Sequence, residues 1–387
     1  MLSSRPDLAA VLAFAIAALF TALIVPLVRR LGLRFGLIDQ PDARKQHTSP
    51  MVRLGGVGIV AGFVLALLLI WGLGGFQISE RLPLPPLREA LIWTTLAGSL
   101  CFFVIGLADD LFALPPLPRL AGQLAVAMAV WSQGVRIGAI ELPFGLFGHD
   151  PGAIPLPDGL SLLATVIWLV GITNAINWLD GLDGLAAGVS GIAAVGLLSV
   201  SYSLGQAAPG LLAAALAGSC LGFLRHNFNP ARIFMGDGGS YFLGFALAAI
   251  SIIGPAKGLT SVSLLLPLLI LSLPLADMSA VIMGRVSDGR SPFYPDRRHL
   301  HHRLLRVGFS HRRTVVLIYA FTQWLVALAM VLANAELRFL WLALATAVLI
   351  GVVIACRRSL NREQADQARA REAAQFSPEQ TGGDLPR

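Results

Sequence analysis

The chain has 387 residues, of which 56% are hydrophobic and only 13% are charged, with a formal net charge of +7. Its mean hydropathy is +0.73. This small number of charged side chains cannot cover the surface of a soluble globule of this size. The composition therefore excludes a soluble protein and predicts an integral membrane protein.

Apolar segments recur along the whole chain. Many contain about 18 to 22 residues, the length needed to cross a hydrocarbon core of ~30 Å, and in lipid only helices satisfy their own backbone over so many segments of that length. The sequence predicts about eleven transmembrane helices in a single all-α membrane domain over residues 1–356. They lie near residues 8–28, 54–73, 90–108, 119–133, 160–176, 185–203, 209–224, 238–254, 261–283, 314–333 and 338–355.

Two polar stretches carry further structural predictions. Residues 135–159 alternate apolar and polar side chains around Gly and Pro turns, a pattern that predicts a small hairpin on the outer, periplasmic surface. Residues 357–387 are polar and mixed in charge. We expect them to form a cytoplasmic tail that begins as a short helix and frays into disorder.

Orientation follows from the basic residues. Of the 29 Lys and Arg residues, 23 lie in the tail and in alternate connections on one side of the predicted helices. The positive-inside rule places that side in the cytoplasm, with the N-terminus outside and the C-terminus inside. The excess positive charge favours anionic membrane lipids as partners and argues against a nucleic acid. The 3 cysteines lack C-x-x-C spacing and indicate neither a disulfide framework nor a metal cluster.

Five polar motifs stand out from this apolar background, and all fall on the predicted cytoplasmic side. They are DQPDARKQHTSP (39–50), ADDLFALPP (108–116), NAINWLDGLDG (174–184), HNFNPARIFMGDGGS (226–240) and SPFYPDRRHLHHRLL (291–305). Their acids, amides and histidines play no part in the count of Lys and Arg. Their gathering on one face is therefore independent support for a single site there.

The residue types of these motifs suggest their chemistry. Carboxylate and amide oxygens are hard ligands suited to Mg²⁺ or Mn²⁺, and Mg²⁺ is usually held by one or two carboxylates plus substrate phosphates. Basic residues beside them suit a phosphate-rich substrate, because phosphoryl transfer is catalysed mainly by positioning and charge neutralisation. At a membrane surface, this set favours transfer of a phosphate-bearing group onto a lipid.

The paired aspartates of ADDLFALPP cannot play identical parts. Adjacent helical side chains point about 100° apart, so either Asp109 or Asp110 should face the reacting phosphates while the other supports it. One of these aspartates could orient the attacking group or take a proton from it. Alternatively, one of them could itself be a covalent nucleophile. We favour direct attack by a lipid phosphate, whose second pKa of about 6 to 7 already supplies a dianion at neutral pH.

NAINWLDGLDG places oxygen-bearing side chains at three-residue steps where a membrane helix should end. Its four polar positions are Asn174, Asn177, Asp180 and Asp183. Neighbouring glycines permit the helix to break within the motif. The stretch is therefore interpreted as a helix end whose side chains turn toward a metal ion and a donor substrate.

The histidine motif is interpreted with helical spacing. His299 and His302 then share a face while His301 points elsewhere, so two of the three histidines should touch one ligand. Zinc is the rival interpretation, but no Cys accompanies the histidines and the other ligands are hard oxygens. Asp277 lies within the ninth segment, where a carboxylate is costly unless it faces the bundle interior, and Arg285 is a candidate partner.

These motifs together resemble a known family. NAINWLDGLDGLAAG, FMGDGGS, GLADDLFALPP and DRRHLHHRL look like the polyprenyl-phosphate N-acetylhexosamine-1-phosphate transferases, over about residues 37–310. The form HLHHRL is similar to the WecA- and TagO-like branch that uses UDP-N-acetylglucosamine or related small sugars. The branch that handles UDP-MurNAc-pentapeptide usually has three consecutive histidines there, which this chain lacks.

The resemblance implies an activity and a location. A sugar-1-phosphate would pass from a UDP-N-acetylhexosamine to undecaprenyl phosphate with release of UMP, starting a cell-envelope polysaccharide such as lipopolysaccharide or teichoic acid. The enzyme would be Mg²⁺-dependent and lie in the bacterial inner membrane. A homodimer is allowed by the sequence but not specified by it.

The resemblance also implies residue roles. Asp237 would bind Mg²⁺ with Asn177 beside it, although an N-cap of the next helix is the plainer interpretation of this aspartate. The catalytic candidates are Asp109, Asp110, Asp180 and Asp183. The candidates for substrate binding are Lys45, His47, Asn174, Asn177, Arg297, Arg298, His299, His301 and His302.

A polytopic transporter is the alternative from a different class, because intramembrane carboxylates are common in transporters. Here nearly every acid lies at a helix end on one side, and no paired inverted halves are evident. Transport requires access from both faces, so the distribution of acids favours an enzyme.

Overall fold

The computed structural model describes residues 5–39, 51–76, 85–141, 153–254, 265–291 and 298–375. Helices make up most of this part of the chain. They are α1 (Pro6–Arg34), α2 (Gly55–Gly72), α3 (Pro85–Phe112), α4 (Pro116–Ser132), α5 (Asp158–Leu179), α6 (Leu185–Ser203), α7 (Ala207–Asn227), α8 (Gly236–Ile253), α9 (Leu265–Ile270), α10 (Ser272–Ser287), α11 (Leu300–Val307), α12 (His311–Leu332) and α13 (Arg338–Gln375).

Two pairs of short strands accompany the helices. β1 (Ile38–Asp39) pairs with β2 (Met51–Val52), and β3 (Ala139–Glu141) pairs with β4 (Ala153–Pro155), both antiparallel. The second pair confirms the hairpin predicted within residues 135–159.

Within the described residues, 9 helices are long and apolar enough to cross a membrane, namely α1, α2, α3, α5, α6, α7, α8, α12 and α13. The described parts of the other two predicted segments are also helical. α4 has 17 residues, and the segment predicted at 261–283 divides at Leu271 into α9 and α10. Pro274 causes this division, because it lacks the N–H that would bond to the carbonyl of Ile270. The polytopic all-α fold is confirmed.

The helices differ in how deeply they lie in the bundle. In α8, 94% of the most apolar window is buried within the protein, against 11% in α13. α8 packs against α3 and α5, whereas α13 packs on α12 and leaves Leu340, Leu344 and Val348 exposed. Such an apolar face suits lipid, so α8 is central and α13 is peripheral.

The predicted tail begins within a helix. α13 runs without interruption from Arg338 to Gln375 and passes the boundary predicted at residue 356, so that domain boundary stays a prediction. Residues 352–375 contain neither Gly nor Pro. Since these are the residues that most strongly end helices, the helix continues from apolar into polar sequence.

Close backbone packing fixes the beginning of α8. The amide of Gly56 donates to the carbonyl of Met235 over 2.8 Å. A Cβ at Gly56 would overlap the backbone nitrogen of Gly239, and one at Gly106 would overlap the carbonyl oxygen of Asp237. α2 and α3 therefore approach the start of α8 where no side chain separates the backbones, and this contact sets the position of Asp237.

Replacing Gly56 with Ala should push α2 away from α8. Overpacking typically costs about 1 to 3 kcal/mol, so we expect a lower thermal unfolding midpoint and reduced transferase activity. The matched control is Gly72→Ala on the same helix, because a Cβ there would meet nothing within 4 Å. Equal effects of the two substitutions on the unfolding midpoint would contradict this account.

Candidate active site

Four of the five polar motifs meet at one end of the bundle. α3 and α5 end there, and α8 and α12 begin there. Hydrogen bonds join Asp110 and Asn177 to the start of α8, and Nε2 of His301 in the histidine motif lies against Gly181. The amide of Asp183 donates to Nε2 of His311 at the start of α12 over 3.0 Å. These motifs therefore come together in the described part of the chain, and their action as one active site stays a prediction.

Asp110 holds the first turn of α8. Its carboxylate accepts hydrogen bonds from the amides of Asp237 and Gly238, each at 2.9 Å. The first amides of a helix have no partner within the helix and carry its positive dipole end, so a carboxylate from α3 is well placed to bind them. Asp110 thus holds the start of α8, and the division of roles within the aspartate pair stays a prediction.

Asp237 extends from this fixed turn toward α5. Its Oδ1 accepts a hydrogen bond from the side-chain amide of Asn177 over 2.8 Å, and the same amide donates to the hydroxyl of Ser240 over 2.9 Å. Both amide hydrogens of Asn177 are therefore used. The carboxylate of Asp237 and the side-chain amide of Asn177 are therefore neighbours, and their binding of a metal ion stays a prediction.

Asp109 faces a basic partner. Its carboxylate forms an ion pair with Arg119 near the start of α4, and the same guanidinium lies 3.9 Å from Oδ2 of Asp237. The side chain of Asp109 is 7% exposed. A carboxylate buried to this degree requires a partner, and Arg119 supplies one that also reaches the second acid.

Asn174 lies one helical turn before Asn177. Its amide donates both to Oε1 of Gln123 on α4 and to the carbonyl of Val170, each over 2.8 Å. Only its own Oδ1 is left for a substrate. The substrate-binding role of Asn174 stays a prediction, and the contact shown is one that fastens α5 to α4.

The acids interact electrostatically as one group. Burial, reinforced by the negative charge of Asp237, raises the pKa of Asp180 to about 7. Arg53, which follows β2, opposes this rise. No three His, Cys, Asp or Glu side chains among the described residues could hold a metal ion together. The protein would therefore supply one or two carboxylates and an amide oxygen, which fits a Mg²⁺ ion whose other ligands are phosphates and water.

The DGLDG segment breaks the helix as predicted. α5 ends at Leu179, and α6 begins after Gly184, whose φ of 80° lies in the left-handed region that favours glycine. Oδ2 of Asp183 accepts hydrogen bonds from the side-chain amide of Asn229 over 2.9 Å and from the amide of Ala231 over 3.0 Å. Asp183 therefore ties this segment to the α7–α8 connection, and its catalytic role stays a prediction.

The histidine motif is arranged differently from the helical interpretation. His299 precedes α11 with extended backbone angles, φ −56° and ψ 150°, so the spacing of a helix does not apply to it. Its ring is nearly parallel to that of His301, at 8° and 5.6 Å between centroids, and the ring of His302 lies 4.3 Å from that of His301. The ring of His301 therefore contacts both of the other rings, where helical spacing predicted that it would point elsewhere. Which of the histidines touch a ligand stays a prediction.

His301 is the most deeply buried of the three and is 1% exposed. Among the described residues, neither of its ring nitrogens has a hydrogen-bond partner. Its Nε2 faces Gly181, where a Cβ would overlap it. Burial, together with His302 and His299, lowers the pKa of His301 to about 3, so the ring is neutral.

The remaining candidates for substrate binding are the basic residues and His47. Arg298 donates to the carbonyl of Gly284 over 2.9 Å and forms an ion pair with Asp288. Its substrate-binding role stays a prediction. Lys45, His47 and Arg297 lie outside the described residues.

Four polar residues of the site received no role in it from the sequence. Arg53 and Arg119 counted only as topology signals, and Gln123 and Ser240 lie inside apolar helices. Gln123 follows Arg119 by one helical turn on α4, so the two side chains share a helix face. This spacing of two polar residues was the signal in the sequence that could have identified both. Their partners come from α3, α5 and α8, so spacing along the chain could not reveal them.

Comparisons with known proteins identify the family of this chain. Residues 92–255 match the family described as Glycosyl transferase family 4. The chain is 35% identical over 334 residues to the probable undecaprenyl-phosphate N-acetylglucosaminyl 1-phosphate transferase of Bacillus subtilis, covering 86% of this chain and 87% of that protein. The chain belongs to the polyprenyl-phosphate N-acetylhexosamine-1-phosphate transferase family.

Other members of this transferase family match a similar extent. The decaprenyl-phosphate N-acetylglucosaminephosphotransferase of Mycobacterium leprae is 39% identical over 326 residues, with 78% of each chain covered. The undecaprenyl-phosphate alpha-N-acetylglucosaminyl 1-phosphate transferase of Escherichia coli K12 is 29% identical over 313 residues, covering 78% of this chain and 77% of that protein. This protein is therefore a membrane transferase of that family.

Burial of neutral His301 should make the transferase less stable in acid. The folded protein does not protonate this ring above pH of about 3, whereas the unfolded chain does so below its ordinary pKa of 6.5. Stability is therefore lost as pH falls below about 6.5, by about 2 kcal/mol at pH of about 5. We expect the unfolding midpoint of the wild type to fall further between neutral pH and pH of about 5 than that of His301→Gln. Equal losses would mean that folded His301 takes up a proton.

Proposed function

We propose that this transferase moves N-acetylglucosamine-1-phosphate, or a closely related N-acetylhexosamine-1-phosphate, from its UDP-sugar to undecaprenyl phosphate. The products are UMP and a lipid-diphosphate sugar that starts a cell-envelope polysaccharide. The observation that carries the proposal is the meeting of Asp109, Asp110, Asn177 and Asp237 at one end of a membrane helix bundle. The names of the relatives from Bacillus and Escherichia support the lipid acceptor and the N-acetylglucosaminyl 1-phosphate group.

The proposed reaction is a single displacement. An oxygen of the lipid phosphate attacks the sugar-bearing phosphorus of the donor, one P–O bond forms, and the bond to the phosphate of UMP breaks with its electron pair leaving on UMP. Asp109, beside Arg119, faces the reacting phosphates, while Asp110 keeps the α8 turn in place. A phospho-sugar trapped on either aspartate would overturn direct attack.

Charge balance supports a divalent cation in this site. Asp237 and the Oδ1 of Asn177 would hold Mg²⁺, or Mn²⁺ in its place, and the ion would neutralise charge on the phosphates. Burial, together with the negative charges of Asp237, Asp110 and Asp183, raises the pKa of Asp180 to about 7, and Arg53 opposes this rise. Arg119 lies near Asp237 as a further positive charge. Arg119 is also positioned to meet a phosphate oxygen when substrate arrives.

The histidine motif is assigned to the donor. His301 lies against Gly181 in the DGLDG segment, so the histidines and the acids border the same space. His299 and Arg298 would contact the diphosphate or the uridine, with Lys45, His47 and Arg297 contributing to the same phosphate region. In the bacterial inner membrane this site would face the cytoplasm, where nucleotide sugars are made, and the polyprenyl chain would stay in the bilayer.

A donor panel tests the proposed function. Purified enzyme is supplied with undecaprenyl phosphate, Mg²⁺ and, in separate reactions, UDP-N-acetylglucosamine, UDP-N-acetylgalactosamine or UDP-MurNAc-pentapeptide, and UMP is measured. We expect UMP only when both lipid and metal are present, and fastest with UDP-N-acetylglucosamine. Fastest release from the pentapeptide donor would overturn the assigned sugar, and no release from any donor would overturn the reaction.

Asp237→Asn should weaken metal binding. The substitution removes a negative charge and places an amide beside the amide of Asn177, so we expect turnover at ordinary Mg²⁺ to fall by about 100-fold, with partial recovery at high Mg²⁺. The matched control is Asp158→Asn at the far end of α5, where the side chain is 82% exposed and lies 3.5 Å from Arg136. Near-normal turnover of Asp237→Asn at ordinary Mg²⁺ would contradict the ligand assignment.

A further inference from the structure

Both carboxylate oxygens of Asp277 on α10 form hydrogen bonds with residues of the histidine motif. Its Oδ2 lies 2.9 Å from Nδ1 of His299, and its Oδ1 accepts the amide of Leu300 over 2.7 Å. Leu300 is the first residue of α11, so the second contact caps that helix. The sequence suggested Arg285 as a partner of Asp277, and the partners seen here are residues that the sequence did not indicate.

Both members of the Asp277–His299 pair are buried. Their side chains are 7% and 10% exposed, respectively. A hydrogen bond between groups so well removed from water fixes the orientation of the imidazole, because no water is at hand to replace it. Since Asp277 accepts from Nδ1–H, Nε2 is the ring nitrogen left to contact a ligand.

His299 has a further defined neighbour. The ring of Trp178 meets it edge to face, with 5.9 Å between centroids, and the guanidinium of Arg285 lies 5.0 Å from the centre of the same indole. Trp178 directly follows Asn177, which bonds to Asp237. His299 is therefore held beside the end of α5 that carries the oxygen ligands.

We propose that Asp277 is a positioning residue of the transferase, which keeps His299 in the tautomer whose Nε2 is presented to the diphosphate or uridine of the donor. This role rests on the proposed function, in which His299 binds the donor. Asp277 does not itself touch the substrate.

The two contacts of Asp277 can be separated by substitution. In Asp277→Asn the amide oxygen can still accept from Leu300, so the cap of α11 is kept, but the amide nitrogen donates toward His299. Nδ1 must then be an acceptor, and the proton moves to Nε2. Asp277→Ala removes both contacts, so comparing the two variants distinguishes the tautomer from the cap.

The first test is kinetic and uses the full-length enzyme with UDP-N-acetylglucosamine and undecaprenyl phosphate. For Asp277→Asn we expect kcat/KM for the donor to fall by about 10- to 100-fold, KM for the lipid to change less than twofold, and the unfolding midpoint to stay near that of the wild type. In a His299→Gln background, Asp277→Asn should have no further effect. Asp158→Asn is the control for replacing an aspartate with an asparagine at a position away from the site.

Additive effects of Asp277→Asn and His299→Gln would overturn the proposal, as would full activity of Asp277→Asn. A lower unfolding midpoint for Asp277→Asn, equal to that of Asp277→Ala, would also overturn it by showing a purely structural role.

The second test does not depend on turnover. In ¹⁵N-histidine-labelled protein, one histidine signal, assigned by its loss in His299→Gln, should report an Nδ1–H ring in the wild type and an Nε2–H ring in Asp277→Asn. An unchanged tautomer would overturn the positioning role even if the enzyme is active. If the tautomer switches but no UDP-sugar yields UMP with wild-type enzyme, the proposed function fails and the Asp277–His299 contact stands.

Discussion

The carboxylate of Asp110, bonded to the amides of Asp237 and Gly238, is the interaction on which the site depends. Hydrogen bonds to a charged group contribute about 1.5 to 3 kcal/mol each, more than ordinary hydrogen bonds, and here they join the end of α3 to the start of α8. The glycines at this junction let the backbones meet. Asp237 is thereby fixed where Asn177 can reach it.

A second set of contacts surrounds this junction and keeps the flanking segments in place. Asp183 binds the connection between α7 and α8, and Asp277 binds His299 and the start of α11. Buried carboxylates are costly without partners, so each of these acids is paired with donors from another element. The acids thus fall into two groups, one around the proposed reacting phosphates and one that holds the loops bordering them.

Particular residues show how far sequence reasoning reached. The break of the helix within DGLDG followed from its glycines. The different partners of Asp109 and Asp110 followed from the geometry of a helix. The contacts among the histidine rings did not follow from helical spacing, because α11 begins at Leu300 and the backbone of His299 is extended. A shift of one residue at a helix start changes which rings stack. Arg119 was counted only as a topology signal, because its partners Asp109 and Asp237 lie on other helices.

The sequence by itself determined the class of protein, the positions of the membrane helices and the gathering of the polar motifs at one end of the bundle. These features depend on local hydrophobicity, segment length and charge, which can be counted along the chain. The tertiary structure alone decided which oxygens remain available, which arginine meets which acid and which nitrogen of His299 is held by Asp277. Those choices are made by side chains from helices distant in sequence, and their distances are set only when the helices pack together.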